Sequence, residues 1–186
     1  MELSVKQRGE IISTFRYVQV NLMETLAAWV PTTPEMEVKL LFGEHIWDVA
    51  QHADALGKRT YELRLPLQHS LRPSDVSIGL LERLAQAHQT GQRIAGFYDV
   101  VLPLQEAQFR RYLDRTDSLM DAPTVRILDR ILEDEARMIR GSQELRWRLP
   151  DVRPCDGEWL AEVAELGRGI EEFFLRKSEK AMAEVG

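Results

Sequence analysis

A chain of 186 residues that is 44% hydrophobic and 29% charged has the profile of one globular domain. At this length folding buries roughly 70% of the unfolded surface, so neither a disulfide nor a structural metal is needed to hold a core together. The net charge of −6 excludes the uncompensated basic footprint that nucleic acid requires, and the one cysteine, Cys155, excludes an intrachain disulfide and reads as an inert loop thiol.

Apolar residues Ile11, Ile12, Phe15, Val18, Leu22, Leu26 and Trp29 recur at helical spacing and predict a first amphipathic helix from Val5 to Val30, stopped by Pro31. Thr33 then stands as N-cap before Pro34, with Glu35 and Glu37 complementing the helix dipole, and the pattern runs on to about Arg64. A connection of about four residues makes these two helices antiparallel neighbours. The run from Leu65 to Ser74 has two prolines and no periodicity. It is therefore extended, and at ~3.3 Å per residue it reaches far enough to start the next helix at the opposite end of a bundle. Ser74 or Asp75 caps a third helix that continues to about Asp114, bent where Gly91, Gly96 and Pro103 interrupt it. Asp121 and Pro123 restart a fourth helix, which ends near Leu149 and Pro150. Past the break at 151–157, a fifth helix carries Trp159, Leu160, Val163, Leu166, Ile170, Phe173 and Phe174 on one stripe, either as a lid over the bundle or as a dimer contact, and frays from Lys177. The expected fold is all-α: a four-helix bundle over 1–150 with a helical extension over 151–186. No apolar run approaches the ~18 residues that cross a bilayer, and the start of the chain has no signal core, so the protein is expected to be cytoplasmic and to stay off membranes.

Two of these helices carry related segments. The fourth contains Asp134-Glu135-Ala-Arg-Met138 and the second contains Val49-Ala-Gln-His52. Both resemble the metal helices of the ferritin-like superfamily, whose second and fourth helices each carry Glu-x-x-His, because residues i and i+3 share a helix face and present a carboxylate and an imidazole to one di-metal centre. Here Met138 stands where the fourth helix would have histidine, and Val49 where the second would have glutamate, so each helix keeps half of its motif. The resemblance covers about the first 145 residues. It implies Gln19 as the first-helix counterpart and Tyr98 or Asp99 as the third-helix one. Gln19 is a feeble iron ligand, Val49 is none, and Met138 is a soft thioether poorly matched to high-valent iron.

Two chemistries are open for such a centre. Without metal, Glu135 and His52 face one another across the bundle and pair, with Tyr98 nearby and with Gln19, Val49, Met138 and Asp99 lining the pocket; burial and mutual charge then bring a pKa toward neutrality for acid–base work. With iron or manganese, His52 and Glu135 are joined by Glu24, His45, Asp48 or Asp99; His45, Asp48 and His52 share a helix face. The expected reactions are cyclisation, isomerisation or elimination of a small, mostly apolar molecule without a cofactor, or else metal-dependent oxidation. A third possibility is a binding protein that only carries its ligand, with a homodimer compatible with any of these. No Gly-rich phosphate loop, serine elbow or Cys-x-x-Cys occurs. The interleaved Arg110, Arg111, Arg115, Arg126, Arg130, Arg137 and Arg140 read as a solvated helical face.

Overall fold

The computed structural model describes residues 3–150, 152, 155 and 157–183, with side chains as far as residue 170. Every regular element among them is helical. Helix α1 (Val5–Trp29) opens with a capping box in which Ser4 and Gln7 satisfy each other's backbone N–H groups. A single 3-10 turn over Val30–Thr32 contains Pro31 and ends it. Thr33 does not cap the next helix; its hydroxyl bonds back to the Trp29 carbonyl at 2.9 Å, and Glu35 is the residue that precedes α2 (Met36–Glu62).

The connection after α2 is pinned rather than loosely extended. Arg64 and Gln68 take left-handed backbone angles, φ 67° and 60°. The Gln68 N–H bonds to the Gly57 carbonyl at 3.0 Å, and its side chain bridges Arg16 and Asp54. A Cβ on Gly57 would collide with the Gln68 amide, so glycine is what lets this strand of chain lie on the helix.

The third helix is not one bent helix from Ser74 to Asp114. It is α3 (Asp75–Ala85), a break at 86–89, α4 (Thr90–Ile94), a π-helical stretch over Ala95–Val101, and α5 (Leu102–Leu113). Pro103 supplies the reason for the π turn. Its ring would crowd the Asp99 carbonyl and it has no N–H to bond there, so the backbone widens and the Leu102 N–H reaches Phe97 instead. Helix α3 therefore belongs to the crossover, and the length the sequence assigned to an extended strand is shared between that strand and α3. The last helices are α6 (Ala122–Arg148) and α7 (Gly157–Ala183).

Side-chain contacts fix the directions. Leu63 lies beside Gly9 and Phe42 against Trp29, so α1 and α2 run antiparallel. Arg59 meets Asp121 while Leu41 meets Gly141, so α2 and α6 are antiparallel as well. Thr90 bonds to Glu35 and Tyr98 to His45, so the run α4–π–α5 is parallel to α2. The chain thus goes up, down, down, up, with α3 and α7 packed together on the outside. Trp159, Val163 and Ile170 of α7 join the same apolar cluster as α1, α2 and α6, so the described part of the 151–186 extension shares their core. The Phe173 and Phe174 side chains and the expected fraying from Lys177 fall outside the described side chains.

The core is divided. One apolar cluster holds Leu22, Leu26, Val49, Leu102 and Met138, and the other Phe15, Leu56, Phe109 and Ile131. On each of the four long elements the division falls at one level: after Phe15 on α1, after Val49 on α2, after Leu104 on α5 and after Ile131 on α6.

Candidate functional site: a buried polar layer

That level is occupied by Gln19, His52, Gln105 and Glu135, one residue from each helix, all between 1% and 4% exposed. Each stands on the inward stripe of its helix, where apolar residues precede and follow it one or two turns away. Buried polar groups are ordinarily hydrogen-bonded. Here Gln19 Nε2 and Oε1, His52 Nδ1, Gln105 Oε1 and both Glu135 oxygens have no partner, six of the eleven such side-chain atoms found among the described residues.

Glu135 carries the largest consequence. Burial pushes its pKa well above the usual carboxyl range, and the charges of Glu106 and Asp134 push the same way. The Gln19 amide opposes this as a hydrogen-bonding neighbour of the carboxyl, though at a geometry looser than an ordinary hydrogen bond. Burial therefore favours the un-ionised acid, the form able to donate.

His52 does not pair with Glu135, as the sequence suggests, but with the neighbouring residue: its Nε2 lies 3.1 Å from Asp134 Oδ2. Burial lowers the His52 pKa despite Asp134. Asp134 itself stays ionised, because Arg137 and His52 outweigh its partial burial. An ionised Asp134 accepts from Nε2–H, which leaves Nδ1 as a bare lone pair facing the interior. Outside, Arg137 bridges Asp134 at 2.6 Å and Asp48 at 3.1 Å across the α2–α6 groove.

Val49 and Met138 are fully buried in the upper apolar cluster, directly above the layer. Tyr98 is not at the layer. It is buried one to two turns above, hydrogen-bonded to His45 Nδ1 at 2.6 Å, and burial pushes His45 down to about 4 and Tyr98 well up, so both are neutral. Asp99 does not line the centre either: it forms a two-bond ion pair with Arg146, at 2.9 Å for each bond, on a separate cleft of about 380 Å³. Glu24 is exposed. The third-helix contribution at the layer is Gln105, a residue that reading 75–114 as one regular helix could not align; the spacing Leu102, Gln105, Phe109, Tyr112 was its signal.

An iron or manganese centre does not fit these donors. His52 and Glu135 are the two metal-type groups at the layer, His45 is held by Tyr98, and the cation between Asp48 and Asp134 is Arg137 itself. Among the described residues no three His, Cys, Asp or Glu side chains converge as a metal would require.

At the lower end Asp121, fully buried, accepts from Arg59, Tyr112, Thr116 and Thr124 at 2.6–2.8 Å. The sequence marks Asp121 only as a helix start; the network ties the ends of α2, α5 and α6 together. No helix of the described residues is long and apolar enough to cross a membrane. Comparison with protein-family models, with curated proteins and with solved structures found no match for this chain.

Proposed function

We propose that this protein is a ferritin-like bundle in which the level of the di-metal centre has become a metal-independent acid–base site for a small, mostly apolar, uncharged molecule. The up, down, down, up path with a long crossover supports the ferritin-like reading. The observation that carries the functional reading is the concentration of unpartnered buried polar atoms in one layer, since unsatisfied interior groups are costly and cluster where a ligand completes them.

Two titratable groups in that layer have environments that separate their roles. Glu135 is the acid. His52 is the base, through Nδ1, with Asp134 as the residue that holds its tautomer. Gln19 and Gln105 offer amide groups to orient a carbonyl or hydroxyl. A proton taken from one substrate atom by His52 and another delivered to a second atom by Glu135 leave the substrate's composition unchanged, which is an isomerisation or cyclisation. Return of the proton from His52 to Glu135 resets the site.

The test is a thermal-shift screen of uncharged apolar molecules bearing one carbonyl or hydroxyl, followed by product analysis for each stabilising compound. The reading expects hits that the parent converts and that Glu135→Gln binds without converting. Hits that the parent binds unchanged make the protein a carrier, and activity that appears only with added Fe(II) or Mn(II) overturns the metal-independent reading.

A further inference from the structure

Helix α2 has a second apolar face. Its inward stripe, Val38, Phe42, His45, Val49, His52 and Leu56, is buried. On the opposite side Met36, Leu40 and Trp47 are 62%, 67% and 67% exposed. Residues four and seven apart lie on one face of a helix, so these three form a single outward stripe. The stripe has a heptad form: Leu40 and Trp47 occupy one seam position, and Met36, Gly43 and Ala50 the other. Large residues fill the first, and small ones follow Met36 in the second. Gly43 is exposed, and a Cβ built on it would find nothing within 4 Å.

We propose that a second copy of this chain covers this face, its α2 packed antiparallel on the first across a two-fold axis near residue 45. In an antiparallel pair the two seam positions face each other. A crossing at residue 45 sets Trp47 over the partner's Gly43 and Leu40 over the partner's Ala50, then repeats both contacts by symmetry. The large side chain of each layer enters the space left by a small one, which is how helices approach closely without voids. Ile46, partly buried at the flank, extends the apolar strip.

Size favours a second copy over a small ligand. The three exposed residues present roughly 400 Å² of apolar surface per chain, about half of the ~800 Å² per partner in a standard interface, and far more than a single small ligand would cover on a convex helix face. A two-fold contact closes on itself, so the assembly stops at two chains. A seam of this kind also leaves the inward face of α2, with His52 and Val49, untouched.

Sedimentation and light scattering of the full chain between about 1 and 100 µM are the measurement, a range that brackets weak to ordinary self-association. The expected species has twice the 21.5 kDa of one chain. Trp47→Glu puts a charge in the seam, and Gly43→Gln fills the socket while favouring the helix. Each should weaken self-association at least tenfold with unchanged helicity, whereas Leu119→Lys, on an exposed connection away from the seam, should leave it unchanged. A single-chain mass throughout the range, assemblies larger than two chains, or a dimer indifferent to both seam variants overturns the proposal.

Discussion

An interior carboxyl group without a hydrogen-bond partner keeps its proton, because the ionised form would lose its hydration with nothing in return. For Glu135 this fixes the sign of a pH effect. Its pKa is raised in the folded chain above the ordinary 4.5, so its stabilising contribution is complete below about 4.5 and is lost as pH rises toward the folded value. Glu135→Gln keeps the shape and removes the titration. The variant should gain on the parent steadily from pH 5 to pH 8 in urea unfolding; a constant difference across that range would mean that Glu135 ionises normally. The opposite sign applies to His45, held near 4 against an ordinary 6.5. Its contribution is present above 6.5 and lost as pH falls toward 4, a difference of about 3 kcal/mol at most. Replacing the pair together, His45→Leu with Tyr98→Phe, should remove much of the acid lability. Tyr98→Phe alone should cost about 1–3 kcal/mol, since it strands a buried imidazole nitrogen.

At the scale of helices, what was legible in the sequence depended on whether the backbone was regular. Gln19, Val49, His52, Glu135 and Met138 lie on unbroken helices, where i, i+3 and i+7 spacing translates directly into a face, and all five are buried at or beside the layer. The third helix was not regular. The break at 86–89 and the π stretch before Pro103 shift the register, so Tyr98 and Asp99 stand above the layer and Gln105 stands in it. Neighbouring carboxylates were ambiguous for another reason: on α6, Asp134 and Glu135 are 100° apart, and periodicity does not say which one an imidazole from α2 will meet. The sequence names Glu135 for His52; the structure pairs His52 with Asp134. The two half-motifs still make a sharp prediction. Val49→Glu with Met138→His adds a carboxylate and an imidazole beside His52 and Glu135. As apo-protein this double variant should lose several kcal/mol, and Fe(II) or Mn(II) should raise its melting temperature where the parent does not respond. A variant that melts like the parent and ignores metal would show that the two positions do not converge.

Across the whole molecule, a polar layer divides the core between apolar halves, and other polar groups stand at set levels above and below it. His45 and Tyr98 are satisfied by one another, and Asp121 by four donors. Both sets tie facing helices to one another. The layer differs in that Gln19, His52, Gln105 and Glu135 keep buried polar atoms without an ordinary hydrogen bond, and His52 and Glu135 come from facing helices that the Asp121 network ties together from below. The direct test is the protonation state of Glu135, read by infrared difference spectroscopy of the parent against Glu135→Gln between pH 5 and pH 8. The account predicts a protonated carboxyl C=O band that persists through pH 7 and is absent from the variant. A carboxylate band for Glu135 already present at pH 6 would contradict it.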